Sequence, residues 1–248
     1  VAGGALTGVL LHLASTPLDF GYCFLAGGLL VGGSTFVLLF VRDDPTPAAR
    51  YDSFRNFLSE RILPLVRREQ FRWYLISISC FALAACGLPF LPLLIKGKLH
   101  ASNDIYGWLA GLSMASTLVM PWMLGIICDR WGSRRGFVTV LLLYTAGVLG
   151  CLFLEGYTAL FISYLLASIW LPGSIVSITN LALKLAPDVP TSEVFSTKMV
   201  AMAPAQIAGP ILAGAIIDHW SYGPALWACV GCVVLAFIAL WRCGPVAP

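Results

Sequence analysis

Four charged residues lie close together in the stretch GIICDRWGSRR, residues 125–135, of a chain in which only 11% of residues are charged. Asp129 and Arg130 precede Gly132, and Arg134 and Arg135 follow it. A carboxylate and guanidinium groups at this spacing can form ion pairs and can face the partial charges at helix ends. The sequence shows no clustered acids or His pairs of the kind that an enzyme or a metal site would need. We therefore predict no catalytic residue, metal ligand or cofactor.

Long apolar runs flank this stretch and define the fold class. The chain has 248 residues, of which 59% are hydrophobic, and a mean hydropathy of +0.87, which is too apolar for a soluble core of this size. A transmembrane helix needs about 20 apolar residues, and the runs lack the alternation of strands. The sequence therefore predicts an all-α, polytopic membrane protein with eight spans, at 1–15, 20–41, 73–95, 105–128, 136–154, 158–183, 194–217 and 222–241.

The basic residues fix the expected orientation. Thirteen of the fifteen Lys and Arg residues fall on one side of the predicted topology, all except Lys96 and Lys98. Because cytoplasmic connections carry an excess of Lys and Arg, we expect the segment 42–72, the loop 129–135, the connection 184–198 and the C-terminus to be cytoplasmic. This count includes Lys184 and Lys198. The net charge of +3 thus reflects membrane orientation and not binding to nucleic acid.

One connection is much longer than the others and marks a boundary between two units. Residues 42–72 begin with DDPTP, and their second half places Phe54, Leu58, Ile62 and Leu65 at helical intervals. We expect an amphipathic helix at the cytoplasmic interface, kinked or ended by Pro64, with Arg67, Arg68 and Arg72 near lipid phosphates. Binding to a partner protein is the alternative for this segment.

A short internal repeat indicates how the spans are grouped. Residues 2–8 read AGGALTG and residues 208–214 read AGPILAG, and in each case a polar turn and one further span follow. The first and seventh spans therefore correspond, which gives a repeat of six helices, as in many transporters. We expect residues 1–41 to be the last two helices of a truncated N-terminal bundle, 42–72 a linker, and 73–248 a C-terminal six-helix bundle, in a protein of twelve helices.

The loop between the fourth and fifth spans resembles a signature of the major facilitator superfamily, G-x-x-x-D-[RK]-x-G-[RK]-[RK]. The matching residues are Gly125, Asp129, Arg130, Gly132, Arg134 and Arg135, whereas Ser133 stands where a basic residue is usual. In that family the motif joins helices 2 and 3 and recurs between helices 8 and 9. The resemblance thus implies that this chain contains helices 5 to 12.

The resemblance also implies a gating role for the loop. In the family, the Asp contacts the start of a helix of the opposite bundle when the cytoplasmic side is closed, which would make Asp129 the gating contact. Gly125 would let another helix approach, and Gly132 would allow a tight turn. For Arg134 and Arg135 the alternative is a simple anchor at the lipid headgroups.

The family resemblance further implies a central cavity to which the third and sixth spans contribute. On the sixth span, five residues are spaced to share one helical face, and Pro172 weakens the helix there. The third span has its own polar face and breaks at Gly87, Pro89 and Pro92. Packing between helices is the alternative for these residues, as it is for a mid-membrane Gln in the seventh span. The cavity candidates are Trp73, Ser77, Trp170, Ser177, Asn180, Lys184 and Gln206, with Gly173 on the same face as Trp170.

Two further observations bear on mechanism. All twelve acidic residues fall in connections or at span ends, so any proton-coupling carboxylate is expected in helices that this chain lacks. The eight cysteines lie almost wholly within spans, where they are expected to serve as small packing residues.

The sequence thus predicts a secondary transporter that moves a small solute by alternating access. Export of a drug or a metabolite is slightly preferred, and the protein either couples transport to a proton or an ion or is a uniporter. The expected protein is a monomer in the cell membrane, in contact with membrane lipids. A non-transporting membrane sensor or an integral membrane enzyme is the alternative.

Overall fold

The computed structural model describes residues 18–38, residue 40 and residues 62–244. The predicted span 1–15 and residues 42–61 of the predicted linker lie outside these ranges. Within the described residues, all regular structure is helical. The helices are α1 (Leu18–Leu38), α2 (Leu63–Arg67), α3 (Glu69–Ala85), α4 (Leu91–Leu99), α5 (Asp104–Trp131), α6 (Ser133–Phe153), α7 (Tyr157–Ala167), α8 (Trp170–Gly173), α9 (Thr179–Leu185), α10 (Thr191–His219) and α11 (Tyr222–Arg242).

Six helical segments of the described chain are long and apolar enough to cross a membrane. They correspond to the last six predicted spans, and α1 covers most of the predicted span 20–41. Two of the six contain interruptions. A 3₁₀ turn at Leu88–Phe90 separates α3 from α4, where the sequence predicts a break, and a π-helical segment at Ser174–Ile178 separates α8 from α9.

An aromatic cluster forms the centre of the six-helix body. The ring of Phe81 on α3 packs edge to face against Trp170 at 4.6 Å and against Tyr144 at 5.3 Å between centroids. The Tyr144 hydroxyl donates to the carbonyl of Ala84 at 2.5 Å, and the Tyr74 hydroxyl donates to the carbonyl of Ile178 at 3.1 Å. Buried hydroxyl groups need such partners, so the cluster joins α3, α6 and the interrupted span.

Small residues allow two neighbouring helices to approach closely. A Cβ atom at Gly147 of α6 would collide with backbone atoms of Ser163 and Ala167 of α7. At a second close contact between helices, Cys86 packs against Gly209 of α10. Helices in a membrane associate mainly through such tight van der Waals contact, which explains small residues at these positions.

The ends of the bundle differ in charge. One end, which we call the basic end, contains Arg68, Arg130, Arg134, Arg135 and Arg242, at the start of α3, the turn between α5 and α6, and the end of α11. At the opposite end, Lys98 donates to the carbonyls of Leu152 and Leu154. The unequal distribution of basic residues predicted from the sequence is therefore present in the folded body.

The structure describes only the last part of the predicted linker. Pro64 lies in the first turn of α2 and does not end the helix, because a proline ring is compatible with the first helical positions. Arg68 follows α2 and forms an ion pair within the protein, described below.

Candidate functional site

The span from Tyr157 to Leu185 is not a regular helix. Helix α7 ends at Ala167, Ser168 and Ile169 form a turn, and α8 lasts only from Trp170 to Gly173 before the π-helical segment begins. Proline at position 172 has no N–H group to donate to the preceding turn, which explains an irregularity at this depth. Single π-helical turns within α-helices occur often at functional sites.

The interrupted span has a charged partner on the next helix. Lys198 lies in the second turn of α10, and only 2% of its surface is exposed. Its ammonium group donates to the carbonyl of Ser174 and to the hydroxyl of Thr179, both at 2.9 Å. The Thr179 hydroxyl in turn donates to the same Ser174 carbonyl at 3.0 Å. Lys198 thus bridges the first residue of the π-helical segment and the first residue of α9.

Lys198 is the one charged side chain that is buried among the residues the structure describes. Within those residues no carboxylate pairs with it, and its hydrogen-bond acceptors are neutral. A buried charge without an opposite charge is costly in a membrane protein and usually marks a functional position. The sequence counts Lys198 among the basic residues of the connection 184–198, and the structure adds that its side chain points into the bundle.

The π-helical segment also changes the predicted polar face of this span. A regular helix would align Trp170, Gly173, Ser177, Asn180 and Lys184, but the additional residue per turn rotates everything that follows. Gly173 and Ser177 are buried, whereas Asn180 and Lys184 are exposed. The Ser177 hydroxyl lies 3.3 Å from the thiol of Cys128 on α5. The candidates of this span therefore divide into a buried set and an exposed set.

The candidates on α3 and α10 also divide in this way. Ser77 is buried and donates to the carbonyl of Ala236 on α11 at 2.7 Å. The ring of Trp73 is half-buried, with the guanidinium of Arg242 5.0 Å from its centroid. Both residues therefore face α11 in the described body. Gln206 is exposed on α10 and is available to a cavity or to another helix.

The turn with the family signature is built around Gly132. This residue has φ +89°, a conformation that side chains disfavour, and it ends α5 while starting α6. Asp129, Arg130 and Arg135 are exposed. Within residues 62–244, Asp129 has no ion pair or hydrogen bond, and a Cβ at Gly125 would meet no described atom within 4 Å.

Arg134 has a function that the sequence did not reveal. Its guanidinium donates to the carbonyl of Gly244 at 2.8 Å and to those of Trp241 and Leu240 at 3.2 and 3.3 Å. The last carbonyls of a helix lack partners within the helix, and a cation is favourable there. Arg134 therefore caps α11. It also lies 6.0 Å from the centroid of the Trp241 ring.

An ion pair at the basic end connects the start of α3 to the loop between α9 and α10. Arg68 donates to both carboxylate oxygens of Asp188, at 2.7 and 2.6 Å. The hydrogen bond from Arg68 lowers the pKa of the Asp188 carboxyl from 3.8 to about 2. Both side chains are exposed, so salt should weaken this contact. Arg68 and Asp188 are 120 residues apart in the sequence, so residue spacing could not predict that they form an ion pair.

The described residues contain no group of three His, Cys, Asp or Glu side chains that could hold a metal ion. The cysteines within residues 62–244 are free, and Cys229 packs against Gly87 while Cys86 packs against Gly209. These contacts are steric. The chemistry available in the described body is therefore hydrogen bonding and charge, concentrated at Lys198 and in the turn around Gly132.

The fold and these sites define a multi-pass helical membrane protein with an interrupted span and a buried cation. Residues 84–248 match the sequence model of the Major Facilitator Superfamily. The chain belongs to this family.

A named relative agrees with this assignment. Over 99 residues the chain is 28% identical to the "Probable transport protein HsrA" of Haemophilus influenzae. The aligned stretch covers 40% of this chain and 21% of that protein. The chain thus spans about a fifth of the length of this relative.

Proposed function

We propose that the full-length protein is a secondary active transporter that moves a small solute by alternating access. The observation that carries this proposal is the interrupted span, whose π-helical segment is held by the buried ammonium group of Lys198. Interrupted helices and buried charges in membrane proteins are typical of sites where solutes or ions bind. Family membership supports the same activity, as does the printed name of the relative.

The exposed candidates form the proposed solute path. Asn180 and Lys184 on α9 and Gln206 on α10 are exposed, and α5 and α10 bury the smallest shares of the six spans. These outward faces fit contact with a second helical bundle. Trp73, Ser77 and Ser177 contact other residues of the described body and would support the helices that line the path. Trp170 would lie between these residues and the exposed candidates.

Asp129 is the proposed gating contact. Its carboxylate is exposed and has no partner within residues 62–244, so it is available to a helix of another bundle. Arg130 and Arg135 are also exposed, while Gly132 fixes the turn and Gly125 leaves room beside α5. Arg134 would act indirectly, because its guanidinium is engaged with the end of α11.

The remaining features of the proposal concern the whole protein. We infer a twelve-helix monomer, of which residues 1–41 close the first bundle, 42–72 link the bundles and 73–248 form the second bundle. The linker and C-terminus would be cytoplasmic, in a cell membrane. Export of a drug or metabolite, coupled to a proton or an ion, is the preferred activity. Neither the family nor the described sites favour a sensor or an enzyme.

Transport by purified full-length protein in liposomes tests this proposal. Labelled amino acids, organic acids, sugars and cationic dyes would be screened for saturable flux above that of protein-free liposomes. We expect one class to show such flux, and we expect Asp129→Asn to slow it. Asp218→Asn is the matched control, because this exposed carboxylate lies near the opposite end of the bundle. Full flux in Asp129→Asn would contradict the gating role, and no saturable flux for any class would contradict transport.

A further inference from the structure

A cavity of about 450 Å³ lies at the basic end, between the first turns of α6 and the last turns of α11. Arg134, Arg135, Val138, Phe237, Leu240 and Trp241 line it. It is separate from the interrupted span and from Asn180, Lys184 and Gln206. None of the proposed transport contacts therefore explains it, although two of its residues belong to the loop signature.

Two positive charges lie at this cavity without an opposite charge. The Arg134 guanidinium bonds only to neutral backbone carbonyls. Arg135 is exposed, and its side chain has no hydrogen bond or ion pair within residues 62–244. No acidic residue lines the cavity. An anion would therefore gain attraction from two guanidinium groups that are not neutralised in the described body, and Arg binds phosphate groups well through its several N–H donors.

The remaining walls of the cavity are apolar. Val138 lies one helical turn beyond Arg134 on α6, and Phe237 and Leu240 face it from α11. Trp241 is 71% exposed, at a helix end where Trp commonly lies at the level of the lipid headgroups. Charge at the mouth and apolar walls toward the membrane interior match a molecule with an anionic head and a hydrocarbon tail. Inorganic phosphate would use only the first of these features.

We propose that this cavity is a binding site for one anionic phospholipid. The phosphate group contacts Arg134 and Arg135, and an acyl chain lies along Val138, Phe237 and Leu240. Basic pockets between transmembrane helices recognise anionic headgroups through such a combination. The bound lipid would join the start of α6 to the end of α11, in addition to the cap that Arg134 already provides. This proposal stands independently of transport activity.

Binding of a tail-labelled phosphatidylglycerol to the full-length protein in detergent micelles tests the site. We expect saturable binding that an excess of unlabelled phosphatidylcholine with the same acyl chains displaces poorly. Arg135→Gln should weaken the apparent affinity about fivefold. The matched control is Arg130→Gln, which removes an exposed Arg from the same turn but outside the cavity, and it should bind like the wild type.

A second variant tests the apolar part of the site without altering its charge. Val138→Trp should fill the space below the guanidinium groups and reduce lipid binding, provided that its thermal unfolding remains cooperative. Three results would overturn the proposal: equal losses in Arg130→Gln and Arg135→Gln, equal binding of phosphatidylcholine and phosphatidylglycerol, or full displacement of the labelled lipid by millimolar inorganic phosphate. The first would indicate diffuse attraction, and the last a simple anion site.

Discussion

The ammonium nitrogen of Lys198 lies 2.9 Å from the carbonyl oxygen of Ser174. A charged side chain of α10 thus holds the first residue of the π-helical segment in the neighbouring span. The change of helical pitch in the π-helical segment makes the Ser174 carbonyl available to a side chain. The buried ammonium group of Lys198 needs hydrogen-bond acceptors inside the membrane, and this carbonyl is one of them. Movement of either helix would strain this contact.

Removal of the lysine ammonium should destabilise the bundle. Lys198→Met leaves the Ser174 carbonyl with one side-chain donor, Thr179, and we expect a loss of about 1–3 kcal/mol in the free energy of unfolding. The matched control is Lys184→Met on α9, since Lys184 is exposed and its replacement should change stability by no more than about 0.5 kcal/mol. Unfolding in mixed micelles measures both. Equal effects of the two substitutions would show that the buried contact contributes nothing.

The cap on the last helix should also be measurable. Arg134→Gln removes a guanidinium that donates to three backbone carbonyls at the end of α11. We expect faster hydrogen exchange of amides in the last turns of α11 and a loss of about 1–2 kcal/mol in stability. Arg130→Gln, which changes an exposed Arg of the same turn outside both the cap and the cavity, should leave this exchange unchanged. If both variants exchange alike, the capping role is wrong.

The close approach of α6 and α7 predicts a strong response to a single methyl group. Gly147→Ala places a Cβ atom against backbone atoms of Ser163 and Ala167, and backbone cannot move aside as a flexible side chain can. Overpacking of this kind costs about 1–3 kcal/mol. Gly111→Ala is the control, because no described atom lies within 4 Å of the added methyl group. Thermal unfolding should separate the variants, and equal midpoints would contradict the predicted contact.

The ion pair between Arg68 and Asp188 predicts a pH dependence. Its contact with Arg68 lowers the pKa of Asp188 from 3.8 to about 2 in the folded protein, so the ionised carboxylate stabilises the fold. This contribution is complete above about pH 4 and is lost as the pH falls through about 2. Asp188→Asn should remove that part of the acid dependence of the unfolding midpoint. Glu155→Gln, an exposed acid near the opposite end, should retain it, and the same curve for both variants would contradict the assignment.

Hydrophobic run length predicted the six described spans closely, because about 20 apolar residues are needed for a helix to cross the bilayer and the runs lack the alternation of barrel strands. The helix break near Pro89 also followed from residue type. Pro172 likewise indicated a weakened helix in the sixth predicted span, but the π-helical form of residues Ser174 to Ile178 did not follow from residue type. Regular spacing therefore did not predict that Gly173 and Ser177 are buried while Asn180 and Lys184 are exposed.

Contacts between side chains and residues of other helices were the second feature that spacing in the sequence could not predict. The sequence places Lys198 at the end of the connection 184–198, whereas only the structure shows that its side chain turns inward to Ser174. Similarly, Arg134 matched a loop signature, but its acceptors lie about 110 residues further on, at the end of α11. One signal was available for Lys198: a lysine that falls within a predicted membrane span is a functional candidate by default.

The accessibility of position 206 tests the central claim of alternating access most directly. Gln206 is exposed near the middle of α10, and Gln206→Cys in the full-length protein can be treated with a membrane-impermeant maleimide in right-side-out and in inside-out vesicles. The wild type gives the background from native cysteines, and Lys184→Cys, near the basic end, should react from one side only. The account predicts that Gln206→Cys reacts from both sides. Reaction from one side alone, or from neither, would contradict it.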